Sequence, residues 1–268
     1  MADNTSGRTM SAWTRTDGTS FSGMLEWTAG RPDALAGYIR AVQERVPIDG
    51  NRREEAHTLR IDGVFRAGGR TALVYRCPWQ PTTLRDVLVR LRCPSADDRR
   101  RLCRLVVSQA RSLHVHFDLV HAALRPESFV FFGGFGGAGA AAGAVPDLTR
   151  PFVLDWARDS SPDLHQHPQF QPGRRLWFYQ VWSLLMILTE IAEWRPLDRA
   201  FPREVDLWRR RLERKQLATN PDWQGEATAR LFQYGFGFID RDPGELERYS
   251  HWQIKRFYDT LCDMLGNP

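Results

Sequence analysis

The sequence predicts an α+β protein with its strands gathered at the front and helices filling the rest. Three observations carry that expectation. Strand-like runs and a glycine-bearing turn lie before residue 80, and helical periodicity takes over from Thr82 onward. The most apolar stretch, Leu176 to Trp194, has the length of a buried helix. With 268 residues, 42% of them hydrophobic, the chain is long enough to bury a sizeable core in one large domain or two lobes.

Taken in order, residues 1 to about 19 are rich in Thr, Ser, Gly and Asp and read as a mobile tail. Phe21 to Trp27 reads as a strand. Asp33 to Val46 sets Leu35, Ile39, Val42 and Val46 at helical intervals. His57 to Phe65 and Arg70 to Cys77 read as two strands, and Arg66-Ala67-Gly68-Gly69 between them supplies the glycines of a hairpin turn. A short helix is expected over Thr83 to Leu91. A long one over Ser95 to Leu113 opens on a Ser N-cap with acids in its first turn. Its face of Leu102, Leu105, Val106, Gln109 and Leu113 turns inward. Phe129 to Phe132 and Pro151 to Leu154 read as short strands. The stretch between them, Gly133 to Val145, lacks the G-K-[ST] of a phosphate loop and reads as a flexible insertion. Further helices are expected near Arg203 to Gln216, Pro221 to Gln233 and Tyr249 to Leu265.

Charge and cysteine usage exclude several classes. The net charge of +5 is spread along the chain, apart from the run Trp208 to Lys215, which reads as a solvated helix face. No nucleic-acid signature accompanies it, and no nucleic-acid partner is expected. Cys77, Cys93, Cys103 and Cys262 lack C-x-x-C spacing and read as reduced thiols. The polar N-terminus lacks the apolar segment of a secretory signal, and Val181 to Ile191 is too short to span a bilayer, so a cytoplasmic protein is expected. His165 and His167, with no third ligand, read as loop residues and not as a metal site.

The stretch Leu113 to Phe132, LHVHFDLVHAALRPESFVFF, followed by FVLDWAR at Phe152 to Arg158, resembles the catalytic loop and metal-binding turn of the protein kinases. On that pattern His121 takes the place of the loop His, Ala123 that of the catalytic Asp and Arg125 that of the Lys. Pro126 and Glu127 match, Ser128 replaces the metal-binding Asn, and Asp155 keeps the metal-binding Asp. Further short matches are similar to the kinase-like domains of fungal heterokaryon-incompatibility and prion-inhibition proteins. They are Met24-Leu25-Glu26-Trp27-Thr28, Leu73 to Pro78, Thr83 to Leu88, Gln166 to Phe170 and the closing E-I-x-x-W of the apolar helix. The resemblance implies a bilobal kinase-like fold: a disordered tail over 1–19, a reduced antiparallel small lobe with one helix over 20–79, and a helical large lobe over 80–268.

The chemistry of that family is mostly missing. Phosphoryl transfer requires positioning and charge neutralisation, with a cation on the phosphates and a base for the acceptor hydroxyl. Thr28 stands where the strand Lys belongs, and the only lysines in the chain are Lys215 and Lys255. Arg31 or Arg40 would have to substitute, with different reach. No helix Glu is well placed, Glu44 lying late in its helix. Ala123 cannot accept a proton, a loss that costs roughly 10²- to 10⁴-fold by itself. An alternative register, with His116-Phe117-Asp118 as H-x-D, displaces the R-P-E-S turn. Gln180 stands where an Asp fastens the catalytic loop, and no glycine-rich lid precedes Phe21.

The catalytic positions His121, Ala123, Arg125 and Ser128 are thus vacated. Asp155 and Ser128 remain as weak metal or nucleotide ligands, and Asp155 reads first as a turn cap. No cofactor is required, with residual ATP and Mg²⁺ binding left open. Three functions follow: an inactive kinase-like module that binds a protein partner, an unorthodox phosphotransferase, or an unrelated helical protein with a chance match.

Overall fold

The computed structural model describes residues 8–14, 18–28, 32–48, 56–77, 80–133, 145–158, 164–202 and 206–266. It begins with strands β1 (Arg8–Thr14) and β2 (Ser20–Thr28), then helix α1 (Pro32–Arg45) and strands β3 (Ile61–Ala67) and β4 (Arg70–Arg76). These strands form one antiparallel sheet in the order β1-β2-β4-β3. Side chains alternate across it with a period of two. Met24, Leu73 and Tyr75 face α1 and meet Ile39, Val42 and Val46 in the main core. Leu25, Ala72 and Val74 face the other way, beneath Trp13, Phe21, Trp27 and Phe65. At the tip of the β3–β4 hairpin Gly68 and Gly69 have φ of 56° and 73°. Positive φ at both positions is what a two-residue hairpin turn needs.

Strand β5 (Thr82–Thr83) leads into α2 (Leu84–Arg90) and α3 (Ala96–Val115). The Thr83 hydroxyl accepts the Asp86 N–H at 3.0 Å, and that of Ser95 accepts the Asp98 N–H at 3.1 Å. Both helices therefore start on side-chain caps. A 3₁₀ turn, Pro126–Ser128, precedes β6 (Phe129–Phe131), which lies between β5 and β7 (Phe152–Val153) in a second small antiparallel sheet. The remaining elements are helical: α4 (Trp177–Glu193), α5 (Leu197–Ala200), α6 (Leu207–Ala218), α7 (Pro221–Gln224), α8 (Glu226–Ile239), α9 (Pro243–Leu246) and α10 (His251–Met264). The architecture is thus mixed α+β, a small antiparallel sheet followed by a mostly helical part. Helix α4 is its axis: every residue from Trp177 to Ile191 is buried, and α3, α6 and α8 pack against it. None of the described helices is long and apolar enough to cross a membrane.

The structure corrects several expectations. Residues 8–14 are strand β1 and not mobile tail, because they pair with β2 along their whole length. The segment 56–60 is not strand. His57 accepts the Val153 N–H at 2.8 Å and donates its own N–H to Gln109 Oε1 at 3.3 Å, tying the front sheet to the helical part. The helix expected over Pro221 to Gln233 is broken at Gly225, whose φ of 87° suits glycine, and it resumes as α8. The Pro78-Trp79 exit, Arg31, Arg203 and most of the glycine-rich run, 134–144, lie outside the described residues.

Two glycines of α8 give a test of the α4 packing. A Cβ on Gly235 would come within 2.6 Å of Leu185 Cδ2, while one on Gly237 would meet nothing within 4 Å. Replacing an open helical glycine by alanine stabilises by about 0.5–1 kcal/mol. In urea unfolding, Gly237→Ala is expected to show that gain, and Gly235→Ala to lose stability because overpacking outweighs it.

Candidate functional site

The residues singled out by sequence gather where the two sheets meet, around one carboxylate. Asp155 follows β7 with φ of 68°, the left-handed region, and is 0% exposed. A non-glycine residue there is strained and persists where its surroundings hold it. Its surroundings do so from three directions. Arg8 Nη2 donates to Oδ1 at 2.8 Å and Arg125 Nε to Oδ2 at 2.8 Å. The Ser128 hydroxyl lies 3.0 Å from Oδ2 and accepts the Arg125 N–H at 3.1 Å. Arg158 Nε adds a third guanidinium at 3.4 Å.

Arg8 reaches this point because β1 pairs it with Glu26 of β2. From there its Nη1 also donates to the Glu127 carbonyl at 2.7 Å, and its Nη2 lies 3.6 Å from Glu26 Oε2. Glu26 in turn accepts the Asp155 N–H at 3.0 Å and the Ala157 N–H at 3.4 Å. Two residues on, the Thr28 hydroxyl donates to the Ala157 carbonyl at 2.9 Å. The inward face of β2 is therefore fastened to the 155–157 turn.

Burial by itself would raise the Asp155 carboxyl, but the charges of Arg8 and Arg125 outweigh it and hold it well below the usual carboxylate range. Glu26 goes the other way. Burial and then the neighbouring Asp155 charge raise it, against the pull of Arg8. Three guanidiniums, Arg8, Arg125 and Arg158, stand among three carboxylates, Glu26, Glu127 and Asp155.

In the loop before this turn His121 is buried, whereas His116 is exposed. His121 Nδ1 accepts the Ala123 N–H at 3.2 Å, so the ring proton sits on Nε2, which donates to the Leu154 carbonyl at 2.7 Å. Burial pushes this imidazole down to about 4, leaving it neutral near pH 7. Gln180 of α4 accepts the His121 N–H at 2.7 Å and donates to Tyr258 Oη at 2.9 Å, so it fastens the loop with a neutral amide. His116 caps the end of α3, and Asp118 beside it is 90% exposed, 4.0 Å from Arg45. Ala123 is fully buried, its methyl standing where the resemblance calls for a proton acceptor. Trp156 is also fully buried and donates to Thr58 Oγ1 at 2.7 Å, which packs the turn into the core.

Arg8 is the residue that sequence reasoning missed. Of the expected substitutes, Arg40 is exposed on α1 and Arg31 is not among the described residues. His165 and His167 are buried and not plain loop residues. His165 Nε2 lies 2.9 Å from Glu190 Oε2, and His167 packs among Phe178, Tyr179 and Trp182. Among the described residues no group of three His, Cys, Asp or Glu is placed to hold a metal. The Asp155 site itself does not fit a bound Mg²⁺–nucleotide as it stands. Both carboxylate oxygens are already in charge-assisted bonds, and a cation would have to displace Arg8 or Arg125.

Two measurements test this arrangement. Removing one partner of a buried pair leaves the other uncompensated, at a cost of roughly 3–5 kcal/mol. Arg8→Met and Asp155→Asn should each destabilise the ligand-free protein on that scale in urea unfolding. The double variant should lose markedly less than the two combined. A carboxylate kept for a metal would instead be relieved by Asp155→Asn. The second concerns pH. A lowered folded-state value means that neutral His121 contributes stability above its ordinary value of about 6.5, lost as pH falls toward 4. The stability of the native protein relative to His121→Gln should shrink across that window, and a flat difference would contradict it.

No family model matches this chain, and no curated protein matches it.

Proposed function

We propose that the chain is a kinase-like domain without phosphotransfer activity, one that acts by binding a protein partner in signalling. The observation that carries this is the state of Asp155. The one acid left from the expected catalytic pair is bound to Arg8, Arg125 and Ser128, and its counterpart is the buried methyl of Ala123. Stabilising the charge of a transferring phosphoryl group takes a metal-bearing carboxylate and a cation free to meet phosphate. Here carboxylate and cation neutralise each other.

The order of elements supports the kinase-like part of this reading. A small sheet with one helix comes first, then a long helix, then a His-headed loop. Two short strands bracket an Asp-bearing turn, and a buried helix, α4, fastens the loop from behind. On this reading residues 20–79 correspond to a small lobe and residues 80–268 to a large one, with β1 added at the front. The setting in fungal self/non-self or cell-death signalling rests on the sequence resemblance alone.

Incubation with labelled ATP and Mg²⁺ or Mn²⁺ is expected to leave no phosphate on the chain or on a generic protein substrate. Mg²⁺–ATP should also leave the unfolding midpoint where it is, since a site filled to 100 times its Kd would add about 2.7 kcal/mol. Phosphate transfer that disappears in a folded Asp155→Asn variant would establish an enzyme instead.

A further inference from the structure

The front sheet has two edges, and they differ. Strand β3 is blunted: a bulge interrupts its pairing between Ile61 and Gly63, and Asp62 and Arg66 put charge along it. Such features keep an edge from pairing with a further strand. Strand β1 has none of them. It pairs in register with β2 over all seven residues, and it contains no proline, glycine, lysine or acid. We propose that β1 pairs antiparallel with β1 of a second copy of this chain, about a two-fold axis at Ser11. The two front sheets then continue into one another. The pairing goes beyond the binding-module reading and does not depend on it.

The demand comes from the backbone. Strand β1 is outermost in the order β1-β2-β4-β3, and among the described residues no backbone group bonds it from its far side. Alternate N–H and C=O groups of the strand therefore face outward, a template for an added strand. The side chains leave that template open. The only charge of the strand, Arg8, is buried and turned inward to Asp155. Trp13, its one aromatic residue, lies back across the sheet. Its ring is 4.9 Å from that of Phe65 on β3, and a Cβ on Gly23 of β2 would come within 2.7 Å of its Cδ1. Exposed along β1 are Thr9, Ala12 and Thr14, all small and neutral.

The strand's own sequence favours a second copy as the occupant. With Ser11 opposite Ser11, Thr9 faces Trp13 of the second copy and Met10 faces Ala12. Arg8 falls opposite Thr14, so no like charges meet. Large residues thus stand against small ones, and an aromatic against a β-branched residue is a favourable cross-strand pair. An isologous pairing also closes on itself, since each copy uses its free edge on the other. The blunted β3 edges are left at the two ends of the joined sheet. A strand from a different protein would have to be selected by charge or by pockets. The small neutral side chains exposed along β1 supply no charge for that selection.

Sedimentation equilibrium of the full chain over a concentration series tests this. The mass is expected to rise from one chain toward two and to stop there. Ser11→Glu and Ser11→Lys each set like charges opposite one another at the axis, and each should dimerise about fivefold or more weakly. An equal mixture of the two variants should restore dimers, because opposite charges then meet across the axis. Val64→Glu, on the β3 edge where Val64 is 49% exposed, should leave the dimer unchanged. Circular dichroism confirms that the variants fold. A chain that stays monomeric at every concentration, leaving the edge to a different strand or to water, would overturn the proposal. So would assembly beyond two copies, a dimer indifferent to both Ser11 variants, no gain on mixing them, or a dimer lost in Val64→Glu. None of these outcomes bears on the ATP assay, and phosphate transfer by the chain would leave the pairing in place.

Discussion

A single buried negative charge organises this molecule. Asp155 has no access to water, and an isolated carboxylate in that position would cost many kcal/mol or take up a proton. It stays ionised because two guanidiniums and a hydroxyl converge on it from separate parts of the chain. That requirement reaches back to the first strand. Register in a sheet fixes which face each side chain takes, and a slip of one residue would turn Arg8 to the outer face of β1. Hydrophobic contacts alone would tolerate other placements of so short and polar a strand. The ion pair does not. Buried pairs of this kind contribute little net stability over an apolar replacement, yet are costly to break from one side. What Arg8 and Asp155 supply is the specificity of one arrangement.

The same arrangement makes the 155–157 turn rigid. Glu26 and Thr28 hold it from the sheet, Trp156 anchors it through Thr58, and His121 grips the Leu154 carbonyl just before it. The tethers come from three separate parts of the chain: β2, the segment at Thr58 and the loop at His121. Movement of the turn would break several buried hydrogen bonds at once, each leaving an unsatisfied group at about 1–3 kcal/mol. A turn held in this way does not behave as a switch.

Much of this was legible in the sequence, and the exceptions have physical causes. The Gly68-Gly69 hairpin, the Ser95 cap and the apolar α4 were readable because local chemistry determines them within a few residues. Arg8 was not. Its segment is polar, lies at the edge of a sheet and lacks the apolar alternation that marks a half-buried strand. Its partner Asp155 lies 147 residues away in sequence, and no local pattern encodes such a pair. Asp155 shows the complementary limit. A residue type and its spacing can nominate a metal ligand, but only the fold reveals that guanidiniums already occupy its oxygens.

The chain's preference for arginine bears directly on the site. Of 37 basic residues only Lys215 and Lys255 are lysine, and neither lies near Asp155. An ammonium buried as deeply as Arg8 would tend to lose its proton, and with it the charge that keeps Asp155 ionised. A guanidinium keeps its charge and carries several donors in one plane. Arg8 uses that geometry to bridge Asp155, the Glu127 carbonyl and Glu26 together. A lysine there would be a point charge able to leave for a phosphate. The forked arginine is bound on several sides, and it keeps the Asp155 carboxylate covered.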